Sequence, residues 1–253
     1  MEIEVLGSYG GESLECRLTC LLIEGRIALD AGSLTQALPI ERQVEVRSIL
    51  LSHSHMDHTS GLPFFIENVY GQSSGAIDLY ASEATIYAIR KYLFNNATWP
   101  DFTRLPNHLL PAIRFHEIKS GEPVEIEGVR FTPIPVDHLV PTHGFLIEKD
   151  GAAVVWSSDT GPTQKLWEVA NRARNLRALC IDTSFDNSLQ QVADVSLHLT
   201  PRTLELELEK LHVKVPVYLH HLKPPCIARI REEVGALGNP DLEFLEQGKT
   251  YRF

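Results

Sequence analysis

Ser52-His53-Ser54-His55-Met56-Asp57-His58 is the stretch whose reading decides the fold of this chain. It places three imidazoles and a carboxylate within six consecutive positions, His53 to His58. Neighbouring imidazoles repel one another once protonated, so such a cluster needs something that holds it neutral. A divalent transition metal does that, because imidazole and carboxylate are good ligands for zinc, manganese and iron. The stretch follows the apolar run Ile49-Leu50-Leu51, which reads as a buried strand. It precedes Gly61-Leu62-Pro63 and the apolar segment 64–69, which reads as the opening of a helix. His-x-His sets two side chains on one face of extended chain. Asp57 and His58 follow past the strand end, where the chain can curl around a second position. One tetrahedral ion cannot easily take all four from so short a loop and keep an open position, whereas two neighbouring ions can share them.

Composition points to an enzyme-sized α/β chain. Its 253 residues suit one large domain, 1–253, with ample core. The formal net charge of −10 argues against an extended polyanion such as nucleic acid as the main partner, because such partners select a basic face. It leaves room for a small anion held by metals. Met1-Glu2-Ile3-Glu4-Val5 lacks the basic and apolar regions of a signal peptide, and no apolar run is long enough to span a bilayer. No membrane partner is therefore expected. Cys16, Cys20, Cys180 and Cys226 form no CxxC pair, and Cys180 sits in a strand-like run as a buried thiol. A cytoplasmic location is the expectation.

Strand-like runs lie at 3–7, 19–24, 26–30 and 48–52, with a hairpin turn at Gly25. A second set lies at 129–132, 144–148, 152–157, 178–182 and 215–219. Helices are expected at 82–94 with Ser82 as N-cap, and at 164–173, 201–210 and 227–234. Residues 95–111, rich in proline, asparagine and aromatics, read as an irregular loop. Strands in runs with helices interspersed suggest two packed sheets with helices outside.

The motifs, taken in order, resemble the metallo-β-lactamase superfamily, whose signature is His-x-His-x-Asp-His. Leu6-Gly7-Ser8-Tyr9-Gly10-Gly11 and Leu29-Asp30-Ala31-Gly32-Ser33 resemble its opening strands and turn. Val136-Asp137-His138, Ser158-Asp159-Thr160-Gly161 and Leu219-His220-His221-Leu222-Lys223-Pro224 resemble its later ligand motifs. The resemblance implies an α/β fold, an αββα sandwich of two mixed sheets. It also implies two divalent ions, zinc first, with manganese and iron as alternatives. His53, His55 and His138 would hold one, Asp57, His58 and His221 the other, and Asp159 would bridge them. His143 lies near His138, and His220 adjoins His221. The Val-Pro-Thr-x-Gly context favours His138, and the His-Leu-Lys-Pro register favours His221. His108, His116 and His212 receive no role.

One fold serves many chemistries, so the substrate must be read from other residues. Ile181-Asp182-Thr183-Ser184-Phe185 leads into Ala193-Asp194-Val195-Ser196-Leu197-His198-Leu199-Thr200-Pro201. This resembles the phosphodiesterase branch, which includes class II cyclic nucleotide phosphodiesterases and the tRNA 3′-processing endonuclease. The class II motif is His-Leu-Thr-Pro, as here, although Leu197 stands where a glycine is usual. The resemblance implies hydrolysis of a small phosphodiester, 3′,5′-cyclic nucleotides foremost, by a metal-bridging hydroxide. His198 would touch a phosphoryl oxygen or protonate the leaving group, Asp57 would steer the hydroxide, and Trp99 and Phe102 would stack on a nucleobase. The tRNA endonuclease is the alternative. It carries a long basic arm between the third ligand and the bridging aspartate, whereas the stretch 139–158 holds one lysine, Lys149, and no arginine. A non-catalytic metal-stabilised binding module is a further alternative, and it would show missing ligands. A homodimer is left open.

Overall fold

The computed structural model describes residues 1–72, 75–107 and 110–253. His108 and part of the loop expected at 95–111 lie outside them. Strands β1 (Glu2–Gly7), β2 (Cys20–Ile23), β3 (Ile27–Leu29), β4 (Ser48–Leu50) and β5 (Ile77–Ala81) build most of a first sheet. A small pair, β6 (Pro106–Asn107) and β7 (Leu110–Pro111), precedes its edge strand β8 (Ile113–Glu117). The second sheet holds β9 (Val124–Ile126), β10 (Val129–Val136), β11 (Thr142–Lys149), β12 (Ala152–Trp156), β13 (Leu176–Asp182), β14 (Val217–His220) and β15 (Leu242–Phe244). The last strand, β16 (Thr250–Arg252), returns to pair with β1. Among the described residues each sheet has seven strands, in the orders 16-1-2-3-4-5-8 and 15-14-13-12-11-10-9. Both are mixed. Pairing is antiparallel from β16 to β3 and from β9 to β12, and parallel in the remainder.

Side-chain alternation explains why two sheets stack. Leu21 and Ile23 of β2 point into the cluster between the sheets, while Cys20 and Leu22 point into the cluster outside. Likewise Val154 and Trp156 of β12 face inward, and Val155 faces the opposite layer. A strand buried on both faces must be covered on both, which places helices outside each sheet. On the first sheet, α4 (Leu62–Val69) buries Leu62, Phe65, Ile66 and Val69. On the second, α6 (Lys165–Arg172), α8 (Pro201–Leu208) and α9 (Ile227–Ala236) bury Leu166, Trp167, Ala170, Leu204, Ile230 and Val234. The result is the αββα sandwich that the resemblance implies.

Local chemistry sets the helix ends. The Ser82 side chain accepts the Thr85 N–H and starts α5 (Glu83–Ala88), whose continuation, 89–93, widens into a π-type turn. Thr200 and Thr203 form a reciprocal capping box with Pro201 at the first helical turn. The turn between β11 and β12 is Asp150-Gly151, both left-handed at φ 50° and 77°, which closes a two-residue hairpin. Among the described residues, no helix is long and apolar enough to cross a membrane.

Sequence patterns do not mark every element. Strands β5, β8, β9, β15 and β16 and the short helices α1 (Leu34–Ala37), α2 (Ile40–Gln43), α3 (Met56–Thr59) and α7 (Gln190–Ser196) go beyond the expected set. Ile77-Asp78-Leu79-Tyr80-Ala81 has the period-two pattern of a half-buried strand, and its buried positions do alternate. The other unmarked strands have at most five residues; β8, β15 and β16 are each held by a neighbour remote in sequence, and β9 by a two-residue turn to β10.

Candidate metal centre

The predicted ligands arrive at one edge of the sandwich from the carboxyl ends of strands. His53 and His55 follow β4, His138 follows β10, Asp159 follows β12 and His221 follows β14. Asp57 and His58 sit in the single-turn helix α3. The structure brings all seven together. Ligand atoms of His53, His55, His138 and Asp159 lie within 4.8 Å of one another, as do those of Asp57, His58, Asp159 and His221. Asp159 belongs to both groups. Its Oδ1 is 3.2 Å from His58 Nε2, and its Oδ2 is 3.2 Å from His221 Nε2 and 3.7 Å from His53 Nε2.

The outer nitrogens of these rings are committed elsewhere, which aims the inner ones. His58 Nδ1 donates to Asp30 Oδ2 at 2.7 Å. His53 Nδ1 faces Ser52 Oγ at 3.0 Å, and that hydroxyl is itself bound to Asp30 at 2.9 Å. His138 Nδ1 donates to the Leu197 carbonyl at 3.2 Å. His221 Nδ1 donates to Ser184 Oγ at 2.9 Å, which passes its own proton to Asp182 Oδ1 at 2.7 Å. Each fixed tautomer leaves a lone pair on Nε2 directed at the cluster, the arrangement metal-binding histidines require. His55 differs, approaching His138 Nε2 through Nδ1 at 3.2 Å.

Left as protein alone, the cluster is poorly satisfied. Among the described residues His53 Nε2 and Asp159 Oδ1 are buried without a hydrogen-bond partner, and His58 Nε2 and His221 Nε2, 3.3 Å apart, can pair only when one of the two rings carries an extra proton. Burial holds the His53 pKa well below its usual value. Burial also opposes charge on His58, but Asp159 and Asp30 outweigh it and hold that imidazole protonated. At Asp159 burial is outweighed by His221 and His58, which keep the carboxylate ionised. Asp57 is likewise held well below its usual range, where the His221 hydrogen bond and the charges of His58 and His221 overcome burial. A pocket that must borrow protons to neutralise its carboxylates accepts dications in their place. The imidazole and carboxylate donors fit two such ions.

His198 lies against the cluster without being among the seven. Its Nδ1 donates to Asp182 Oδ2 at 2.6 Å, and its ring stacks on His221 at 5.3 Å and 16°. Burial disfavours its charge, yet Asp182 raises its pKa. Asp182 is fully buried and also accepts the Thr160 N–H at 3.2 Å. Lys223 reaches the other flank, donating to the Gly10 carbonyl at 2.5 Å and standing 3.5 Å from Asp57 Oδ2.

The competing histidines fall outside. His220 stacks on Trp156 at 3.8 Å, faces Ser157 Oγ and is pushed by burial to a pKa of about 3. His221 turns to the site because its backbone is left-handed, φ 66°. His143 Nε2 meets Ser120 Oγ at 2.8 Å, and His116 pairs with Asp78. His212 is exposed. Phe102 requires a correction. It is buried against Tyr70 and Phe94 in the outer core of the first sheet, so neither face is free to stack on a base. Trp99 is half-buried and packs edge-on to Phe64. Sequence reasoning missed Asp30, Asp182 and Ser184 as orienting groups. The available signal was an aspartate directly after an apolar strand, in Ala28-Leu29-Asp30 and Cys180-Ile181-Asp182.

Gly10 is part of this geometry. A Cβ there would sit 2.4 Å from His221 Cε1 and 2.6 Å from its Nδ1. Gly10→Ala should therefore push His221 off its position and weaken the site it shares with Asp57 and His58. Metal analysis of the folded variant should show occupancy falling towards one ion per chain, and full retention of both would count against this placement.

Residues 26–221 match the family described as a beta-lactamase superfamily domain. A probable 3′,5′-cyclic-nucleotide phosphodiesterase of Yersinia pestis is 28% identical over 315 residues, spanning 100% of this chain and 89% of the relative. A ribonuclease Z of Mycobacterium bovis is 32% identical over 128 residues, which are 49% of this chain and 45% of that one. Among solved structures, unliganded yeast PDE1 superposes with a TM-score of 0.78 at 17% identity, covering 98% of both chains, a likeness of fold.

Proposed function

The chain belongs to the metallo-β-lactamase superfamily, and on that premise we propose that it is a dinuclear metal-dependent phosphodiesterase acting on small diesters, 3′,5′-cyclic nucleotides foremost. The observation that carries the reading is the buried Asp182–His198 pair, 2.6 Å long and packed on the ring of His221. Hydrolysis of an alkyl diester such as a cyclic nucleotide needs a proton delivered to the departing alkoxide oxygen. Asp182 fixes the proton on Nδ1, so Nε2 is the atom of His198 that can exchange one with a substrate. The likeness over the whole chain to the Yersinia pestis protein supports the same reading.

His53, His55 and His138 would hold one ion, Asp57, His58 and His221 the other, with Asp159 between them. Zinc is the first choice for such donors. When bound, the ions supply Lewis acidity at the phosphoryl oxygens and a water acidic near neutral pH. Around them, Asp30, Ser52, Ser184 and the Leu197 carbonyl hold the four Nε2-directed rings in orientation. Asp57 keeps its carboxylate, ionised, between His221 and Lys223, where it can accept a hydrogen bond from the attacking water and steer it.

The likeness to ribonuclease Z gives tRNA 3′ processing as the second reading. Two features weigh against it. The two-residue turn at Asp150-Gly151 leaves no insertion between His138 and Asp159 to grip RNA, and the chain is acidic overall. Metal-loaded protein should be assayed on 3′,5′-cyclic AMP, 3′,5′-cyclic GMP, 2′,3′-cyclic nucleotides, bis-p-nitrophenyl phosphate and a precursor tRNA. The small diesters should be hydrolysed far faster than the tRNA, and a chelator should abolish the activity. Efficient site-specific tRNA cleavage would reverse the order of the two readings, and inertness towards every diester would remove both.

A further inference from the structure

Leu197, the last residue before His198, has φ 54° and ψ 59°. This left-handed conformation brings Cβ too close to the backbone, and helices that end this way generally place glycine there. The backbone has a reason to adopt it. The turn lets the Leu197 carbonyl accept the His138 Nδ1 proton at 3.2 Å while the next residue reaches Asp182. That accounts for the conformation and leaves the side chain unexplained, since glycine would make the same backbone contacts with less strain.

The side chain does not serve the core. It is half-buried and, among the described residues, belongs to none of the three apolar clusters. It stands over Gly161, two positions after Asp159, where an added Cβ would lie 3.5 Å from Leu197 Cβ. Exposed aliphatic side chains flank the ligands as well. Met56, between His55 and Asp57, is 64% exposed, and Leu139, next to His138, is 60% exposed. Their neighbours in the chain, the His55 and His138 rings, are 5.0 Å apart. A left-handed leucine kept beside a reacting centre and outside the apolar clusters points to a role for its side chain at the site.

We propose that Leu197 is a specificity-determining residue whose side chain contacts the apolar or planar organic arm of a diester held at the metal centre. The inference rests on the phosphodiesterase reading and adds to it which part of the substrate is recognised, and by what.

The test compares Leu197→Gly and Leu197→Asn, both tolerant of left-handed backbone, with the parent protein in the metal-loaded state. Both should keep two ions. Leu197→Gly should raise the melting temperature by roughly 2–4 °C as strain is relieved. Its kcat/KM for bis-p-nitrophenyl phosphate should fall about tenfold more than for methyl p-nitrophenyl phosphate, which has the same leaving group and one aromatic arm fewer. Calorimetry should show weakened binding of diphenyl phosphate relative to dimethyl phosphate in both variants. If the parent hydrolyses neither ester, the phosphodiesterase reading fails and calorimetry alone decides. Selective loss of diphenyl phosphate binding then sustains the contact, while equal binding, or none in the parent, overturns it. A lowered melting temperature would make Leu197 a packing residue, and a shift in oligomeric state would make it a subunit contact. Either result overturns the inference.

Discussion

Replacing Asp159 with alanine is expected to take the protein from two bound ions per chain towards none and to lower hydrolysis by more than about 10³-fold. The reason is geometric. Asp159 is the one side chain common to both ligand groups, with Oδ1 towards His58 and Oδ2 towards His221, His53 and His138. Any other ligand can be lost from one site while the other keeps its donors. Loss of this carboxylate removes a negative charge from among four buried imidazoles, which would then repel a second cation as they repel each other's protons. Asp159→Asn separates charge from shape, since it keeps an oxygen near one ring and loses the bridge. Metal analysis reads the stoichiometry directly. Thermal unfolding gives a second measurement, because ligands bound only by the native state raise its stability. The parent should melt higher with added zinc, and Asp159→Ala should respond weakly or not at all. Two ions retained in the alanine variant would remove Asp159 from its bridging place.

How far such a centre can be read from sequence depends on where its information lies. His53, His55, Asp57 and His58 are visible because one short segment carries them, and His138, Asp159 and His221 because each sits in a recognisable local motif. Asp30 and Asp182 also stand in local motifs, directly after apolar strands, but nothing local says which group each would orient. Asp30 becomes an orienting group only when β3 pairs beside β4, and Asp182 only when β13 pairs beside β14. Their partners, His58 and His198, are 28 and 16 positions away. Alternation along β14 predicts that His220 and His221 part company, but the left-handed turn at His221 is a tertiary outcome, fixed where its N–H meets the Ser8 carbonyl at 2.6 Å. Phe102 shows the same limit in reverse. In a loop rich in polar residues it looks available to a ligand, and only the approach of Tyr70 and Phe94 reveals it as core. Two packed sheets with helices outside were legible in the runs of strand-like segments with helices interspersed, and the resemblance carried by the ligand motifs implied the αββα order. Short edge strands such as β9 and β16 were not, since three residues carry too little pattern.

His198→Ala should leave both ions in place and lower kcat by roughly 10²–10⁴-fold on a cyclic nucleotide, the range expected for loss of a general acid. Its imidazole is held from the rear by Asp182 and lies flat on His221, so removing it takes away neither a ligand nor the Ser184 hydroxyl that orients one. The defect should shrink on bis-p-nitrophenyl phosphate, because p-nitrophenolate departs without a proton. Asp182→Asn should follow the same leaving-group pattern with the ring still present, because an amide in place of the carboxylate no longer favours the proton on Nδ1. Equal losses on both esters would instead give His198 a charge-stabilising or positioning role. Loss of metal alongside activity would make it a support for His221, and proton delivery would have to be sought elsewhere, with Lys223, the ammonium beside Asp57, the first group to replace.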